Sequence, residues 1–295
     1  MQTTRFPQDG LVSVRWLEEH LGGDDLVIAD CRFVLTDPEA GRKAYERDHI
    51  PGAVYFDLEK DLSAPRSAPV EGRPPRGGRH PLPAVEEMAA LFGAAGIGDG
   101  VMVVCYDDQR GSMAARLWWM LRYLGHREVA LLDGGYSAWR TLGKPVTAEL
   151  PAPKPRTFVP RPVASMIATM DEVRTLSAAG SGVIVDSRAP ERYRGDVEPL
   201  DPVAGHIPGA INLPWDGNLD GEGKMLSPHE LSGRFAKVRA EARPIVVHCG
   251  SGVTGCLNIL AMERAGIQGA KLYVGGWSEW CADPQNPVVR GDEAP

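Results

Sequence analysis

The sequence predicts an α/β protein of two tandem domains, each a mainly parallel β-sheet flanked by helices on both faces. Three observations carry this expectation. "HIPGAVYFDL" at 49–58 returns as "HIPGAINLPW" at 206–215, and "VIADCR" at 27–32 returns as "VIVDSR" at 183–188, at intervals of 157 and 156 residues. Chance does not preserve both the words and the interval. "VALLDGGYSAW" at 129–139 matches "AKLYVGGWSEW" at 270–280 in the same way. Between these markers, short β-branched runs alternate with helical periodicity, the pattern of strands joined by helical crossovers.

The elements follow in chain order. In each half an apolar run, "VMVVCY" at 101–106 and "PIVVHC" at 244–249, lacks polar alternation and therefore reads as a parallel strand buried on both faces. The stretch after each run changes to helical periodicity, and the crossovers take the usual right hand. Gly134, Gly135, Gly275 and Gly276 mark matched tight turns. The tryptophan pairs Trp118/Trp119 and Trp277/Trp280 read as packing rather than a base-stacking platform. The domains are expected at 1–147 and 164–295, joined by "AELPAPKPRTFVPRPV" at 148–163. Its five prolines remove backbone donors and favour an extended surface path. A second irregular stretch at 63–83 reads as a surface loop or as an ordered loop that delivers residues to a neighbouring site.

Composition narrows the function classes. The 295 residues are 43% hydrophobic and 24% charged, which describes a globular chain, and the net charge of −7 argues against a broad basic face for nucleic acid or acidic membrane. An anionic substrate would have to be gathered by local arginines. No stretch has the apolar length of a signal peptide core or a membrane span, so the expectation is a cytoplasmic protein. Five cysteines form neither a disulfide framework nor a CxxC pair, and no ligand cluster suggests a metal. Free thiols and no cofactor are expected.

The segment "VVHCGSGVTGC" at 246–256 raises the question of chemistry. Gly250, Gly252 and Gly255 permit a tight turn after the strand, and helical periodicity resumes through Leu257, Leu260, Ala261 and Ala265. Loop amides and a helix N-terminus would then stabilise charge on Cys249 and lower its pKa. Cys256, within the helix, is the better candidate for an inert packed thiol. A phosphatase-type loop needs an arginine six positions after the cysteine, where Gly255 stands; a dithiol motif needs a second cysteine where Gly252 stands. His248 is adjacent in sequence but points to the opposite face of its strand, so it reads as a packed residue. What remains is a nucleophile that accepts a sulfur from a small donor as a persulfide and hands it to a second nucleophile, a ping-pong cycle.

"HIPGA" in both halves, "LLDGG" with a following tryptophan, and "CGSGVT" at 249–254 together resemble the two-domain rhodanese family of sulfurtransferases over nearly the whole chain. The resemblance implies two rhodanese-like domains of which only the C-terminal one is catalytic, and it sets Tyr106 of the first copy against Cys249. It also implies a substrate-binding loop of Gly250, Gly252, Val253 and Thr254. Thiosulfate-preferring members place arginine and lysine close behind the cysteine, whereas this loop is of the mercaptopyruvate-preferring type. In that type a relay is proposed: Ser251, His80 of "RHPLP" and Glu59 of "YFDLEKD", with Asp57 as the nearby alternative. Arg188 and Arg192 are taken from the family pattern for the donor carboxylate, and Arg194 reads as a solvated partner of Asp196. Asp30 and Asp186, at strand ends, fix loops through backbone amides. The implied reaction moves sulfur from 3-mercaptopyruvate, a small anionic donor, to cyanide, a small thiol or a protein thiol. Thiosulfate as donor is the nearest rival, a non-catalytic binding module a second, and an unrelated cysteine hydrolase a third.

Overall fold

The structure is a computed structural model that describes residues 7, 9–66, 76–241 and 243–292. Residues 67–75 of the irregular stretch lie outside the described residues. The chain forms two compact units. The first takes the chain up to Ala64 together with Pro83–Val163 and Leu219–Met225, and the second takes Pro65–Leu82, Ala164–Asn218 and the chain from Leu226 onward. The units therefore do not follow chain order strictly. The segment carrying His80 belongs to the second unit although its flanks belong to the first. The proline-rich 148–163 has no regular secondary structure and is tied to the first unit. Its Arg156, Arg161 and Val163 amides donate to Gly93, Leu124 and Tyr123 carbonyls at 2.8–2.9 Å, and buried Phe158 meets Phe92 edge-on.

The first unit runs β1 (Leu11–Val12), α1 (Val14–His20), β2 (Leu26–Asp30), α2 (Pro38–Arg47), β3 (Val54–Tyr55), α3 (Val85–Ala94), β4 (Met102–Tyr106), α4 (Ala114–Tyr123), β5 (Val129–Leu132) and α5 (Gly135–Thr141). Its strands pair in parallel in the order β1-β5-β4-β2-β3. The central β4 is buried along its length, which is why its sequence shows no polar alternation.

The second unit runs β6 (Ile167–Ala168), α6 (Met170–Ala179), β7 (Val183–Asp186), α7 (Pro190–Arg194), β8 (Ala210–Asn212), α8 (Pro228–Arg234), α9 (Ala236–Ala240), β9 (Ile245–His248), α10 (Gly255–Arg264), β10 (Lys271–Tyr273) and α11 (Gly276–Trp280). Its parallel sheet has the order β6-β10-β9-β7-β8, the same as the first. Each unit is thus a five-stranded parallel α/β domain. No described helix is long and apolar enough to cross a membrane.

The repeated words have repeated jobs. In "HIPGA", the buried histidine stacks on a tyrosine from the preceding helix, His49 on Tyr45 and His206 on Tyr193. Each tyrosine hydroxyl donates to the motif's alanine carbonyl, Ala53 and Ala210. The Asp-x-Arg word is a clip. Arg32 Nε reaches both Asp30 oxygens at 3.1 and 3.0 Å, and its Nη2 donates to the Asp48 carbonyl just before His49. Arg188 repeats this on Asp186, at the same two distances, and on the Gly205 carbonyl just before His206. The arginine planes lie over Tyr136 and Trp277, 4.2 and 4.6 Å from the ring centroids.

Sheet register corrects one expectation. Asp30 pairs with Tyr106, and Asp186 pairs with His248. Because Asp30 and Asp186 are equivalent, Tyr106 is the counterpart of His248, and Asp107 is the counterpart of Cys249. The matching hydrogen bonds agree: Cys31 and Ser187 amides donate to the Tyr106 and His248 carbonyls, each at 2.8 Å. All five cysteines are free and buried.

The clip sets an acid limit on the second unit. Burial alone would raise the Asp186 carboxyl, but Arg188 and His248 outweigh it and hold it at about 2. Burial pushes His248 itself below its ordinary value, so it is neutral near pH 7 and Arg188 is the cation that counts. A carboxyl depressed on folding stabilises above its unfolded value of about 3.9, and that contribution is lost as pH falls toward 2. Asp186→Asn leaves a buried guanidinium short of its partner and is expected to destabilise the fold by about 3–5 kcal/mol at pH 7. Urea titrations at pH 7 and pH 3 check this: the deficit of the variant relative to the parent should shrink at the lower pH.

Candidate active site

Strand β9 ends at His248, and the loop 249–254 that begins with Cys249 leads into α10. The loop is pinned from its far side by the β10–α11 turn. The Trp277 amide donates to the Cys249 carbonyl at 2.8 Å, and the Ser278 amide to that of Gly250 at 2.9 Å. Gly276, at φ +56°, has no room for a side chain: a Cβ there would stand 2.5 Å from the Cys249 oxygen. Gly252, at φ +70°, faces the Val274 carbonyl just as closely. Both positions therefore require glycine. The Cys249 thiol is 2% exposed, and its Sγ accepts the Val253 N–H at 3.3 Å. Cys256 is fully buried in α10, and His248 is packed at the strand end with Nδ1 against the Cys249 carbonyl.

The first unit reveals what such a loop holds. Asp107, at the cysteine's place, has its carbonyl bound by the Tyr136 amide at 2.8 Å, and Gly135 presses on that oxygen as Gly276 does on Cys249. Its carboxylate accepts four amides, from Gln109 and Gly111 on one oxygen and Met113 and Ala114 on the other, all at 2.8 Å. A loop of this design is an anion cradle whose charge is tethered to its first residue.

Ser251 and His80 meet. The Ser251 hydroxyl and His80 Nδ1 share a hydrogen bond of 2.7 Å, and both residues are buried. The segment carrying His80 is anchored on the same turn: the Gly77 amide donates to Glu279 Oε1 and the Arg79 amide to Ser278 Oγ. Glu59 lies in the first unit with its side chain exposed. Asp57 is buried and caps the local turn by accepting the Glu59 and Lys60 amides at 2.9 and 3.0 Å.

The arginines divide differently from the expectation. Arg188, expected to face a substrate carboxylate, is 1% exposed in its side chain, and its Nε, Nη1 and Nη2 are engaged by Asp186, Glu198 and Gly205. The duplicate Arg32 has the same duty in a half without the cysteine, so Arg188 belongs to the fold. Arg192 donates to Glu198 at 2.6 Å and to Asp201 at 3.3 Å. Arg79, which the sequence reading passed over, donates through Nη1 to Asp201. A Cβ on Gly250 would stand 2.9 Å from Arg79 Nη2 and 3.6 Å from Arg192 Nη1, so two guanidinium groups converge on Gly250, the residue after Cys249. Burial pushes the Asp201 carboxyl up from its ordinary value against the pull of Arg79, with Glu198 adding to the rise. Arg194 forms the exposed pair with Asp196 at 2.8 Å. Val253 is buried, and Thr254 stands at the N-cap of α10 without a side-chain cap bond. A cavity of about 530 Å³ in this unit is lined by Thr169, Arg174, Tyr273, Gly275 and Glu279, but by none of residues 249–254.

Comparison with known proteins agrees with this architecture. The rhodanese-like domain matches residues 13–142 and again 169–283. The chain is 43% identical to a probable 3-mercaptopyruvate sulfurtransferase of Pseudomonas aeruginosa over 96% of this chain and 98% of that one. It is 39% identical to a putative thiosulfate sulfurtransferase of Mycobacterium tuberculosis, covering 91% and 92%. Among solved structures, the 3-mercaptopyruvate sulfotransferase SseA of Escherichia coli superposes with a TM-score of 0.78 at 31% identity, covering 92% of this chain and 99% of that one. With both halves matched and relatives shared end to end, the chain belongs to the two-domain rhodanese family of sulfurtransferases.

Proposed function

We propose that this chain transfers the thiol sulfur of 3-mercaptopyruvate to cyanide, a small thiol or a protein thiol through a persulfide on Cys249, releasing pyruvate. The observation that carries the choice of donor is the buried Ser251–His80 hydrogen bond, two residues from Cys249 in sequence. A thiosulfate reaction has no carbon to protonate, whereas a mercaptopyruvate reaction does.

In the first half-reaction the Cys249 thiolate attacks the donor sulfur. The S–S bond forms, the S–C bond breaks, and its electron pair passes to the carbon as the enolate of pyruvate. The proton of the donor thiol ends on that carbon, and Ser251 with His80 supplies a path for it. Arg192 and Arg79 supply donors for the carboxylate. The outer sulfur of the persulfide carries the negative charge. The Asp107 loop supports this step by analogy, since there a tethered anion rests on four amides. In the second half-reaction the acceptor attacks the outer sulfur, the S–S bond breaks, and its electrons return to Cys249. Glu59 stays in the proposed relay only as the acidic member that the family pattern implies. Thiosulfate is the second reading, favoured by the name of the Mycobacterium relative.

Steady-state transfer to cyanide from each donor tests the reading. Mercaptopyruvate should give the higher kcat/KM, Cys249→Ser should abolish transfer, and mass spectrometry of donor-treated protein should find one added sulfur on the parent and none on the variant. A preference for thiosulfate would overturn the donor, and the absence of a persulfide would favour a binding module. Ser251→Ala and His80→Gln should each lower kcat with mercaptopyruvate by about 10²-fold and change thiosulfate turnover far less. Equal losses with both donors would remove the relay.

A further inference from the structure

The arginines beside Gly250 do not stand as bare positive charge. Asp201 lies between them, with Oδ1 bound to Arg79 Nη1 and Oδ2 to Arg192 Nη2, and its side chain is only 4% exposed. Glu198 takes the remaining edge of Arg192, while Arg188 is matched by Asp186. Arg79 and Arg192 are therefore offset by Asp201 and Glu198 before any donor arrives. Arg79 Nε is buried without a hydrogen-bond partner among the described residues, and Gly250 leaves Arg79 Nη2 facing the cysteine loop. The cluster has spare directional donors but little spare charge.

These two properties select between anions. A planar carboxylate gains from well-placed N–H donors and brings one charge. A dianion gains most from net positive charge, and a fixed carboxylate close by repels it.

We propose that Asp201, by bridging Arg79 and Arg192, is the specificity-determining residue of the site: it holds the two guanidinium groups as a fork for a monoanionic carboxylate and disfavours dianionic donors. The inference rests on the mercaptopyruvate reading above and adds to it the residue that enforces the preference. Arg79 acts with Arg192 as one prong of the fork, and Asp201 is a positioning residue that also sets its charge.

The test measures kcat and KM for 3-mercaptopyruvate and for thiosulfate in the parent, in Asp201→Asn, and in Asp196→Asn as a control in the exposed pair with Arg194. Asp201→Asn should raise the thiosulfate-to-mercaptopyruvate ratio of kcat/KM by about tenfold, mainly through a lower KM for thiosulfate, and Asp196→Asn should leave it unchanged. A ratio that moves less than about twofold, or moves equally in both variants, overturns the proposal. A second measurement needs no variant. On the parent protein, pyruvate should compete with the donor at concentrations at least about tenfold below those of sulfate, and equal inhibition overturns the fork. Failure of the donor reading is separable: if the parent takes no sulfur from mercaptopyruvate, a fall in thiosulfate KM in Asp201→Asn still supports the charge-setting role, and an unchanged KM overturns it.

Discussion

The site depends on one close approach of backbone to backbone. In the second unit the β10–α11 turn comes up against the loop after β9, with the Gly276 Cα side against the Cys249 carbonyl and the Trp277 amide bound to it. A methyl group at Gly276 would separate the two, and the loop would lose the surface that shapes it. With that carbonyl turned outward and fixed, the backbone from Gly250 onward curls around the thiol, so that the Val253 amide reaches Sγ. The same turn also anchors the His80 segment through Ser278 and Glu279. One contact thus fixes the cysteine loop and, one residue further on, the histidine that meets Ser251.

Much of this was legible because the repeated words are the places where local physics allows few substitutes. The Gly-Gly pairs survive in both halves because both turns press on a carbonyl, Asp107 in one and Cys249 in the other. "HIPGA" survives because a stacked histidine and a tyrosine hydroxyl close the same turn twice. The β-branched runs marked strands correctly because a strand buried on both faces can keep no polar alternation.

What was missed was missed for equally physical reasons. Hydrophobicity does not mark the last residue of a strand, so Tyr106 was set one residue out of register, and the first loop hides the error because α4 begins seven residues after Asp107 while α10 begins six after Cys249. Arg188 was misread because three arginines in one charged run look alike until their partners are known. A signal was present: Asp-x-Arg occurs in both halves, and a word kept in the half without the cysteine serves the fold. Arg79 was hidden by its setting, a stretch rich in proline and glycine with no periodicity, and its partner Asp201 is 122 positions away.

The two loops share one scaffold and differ in the side chain that their first residue places inside it. In the first unit the anion is the protein's own side chain, and the four amides that hold it are already satisfied. In the second unit the tethered atom is a single sulfur on a shorter side chain than aspartate, and the Val253 amide reaches it at 3.3 Å. A second sulfur attached to Cys249 would extend the tether by one bond, toward the length at which Asp107 carries its oxygens. Under the proposed persulfide cycle, the exchange of aspartate for cysteine turns a filled cradle into one completed by a transferable atom, while the Gly-Gly contact that builds the cradle is retained in both units.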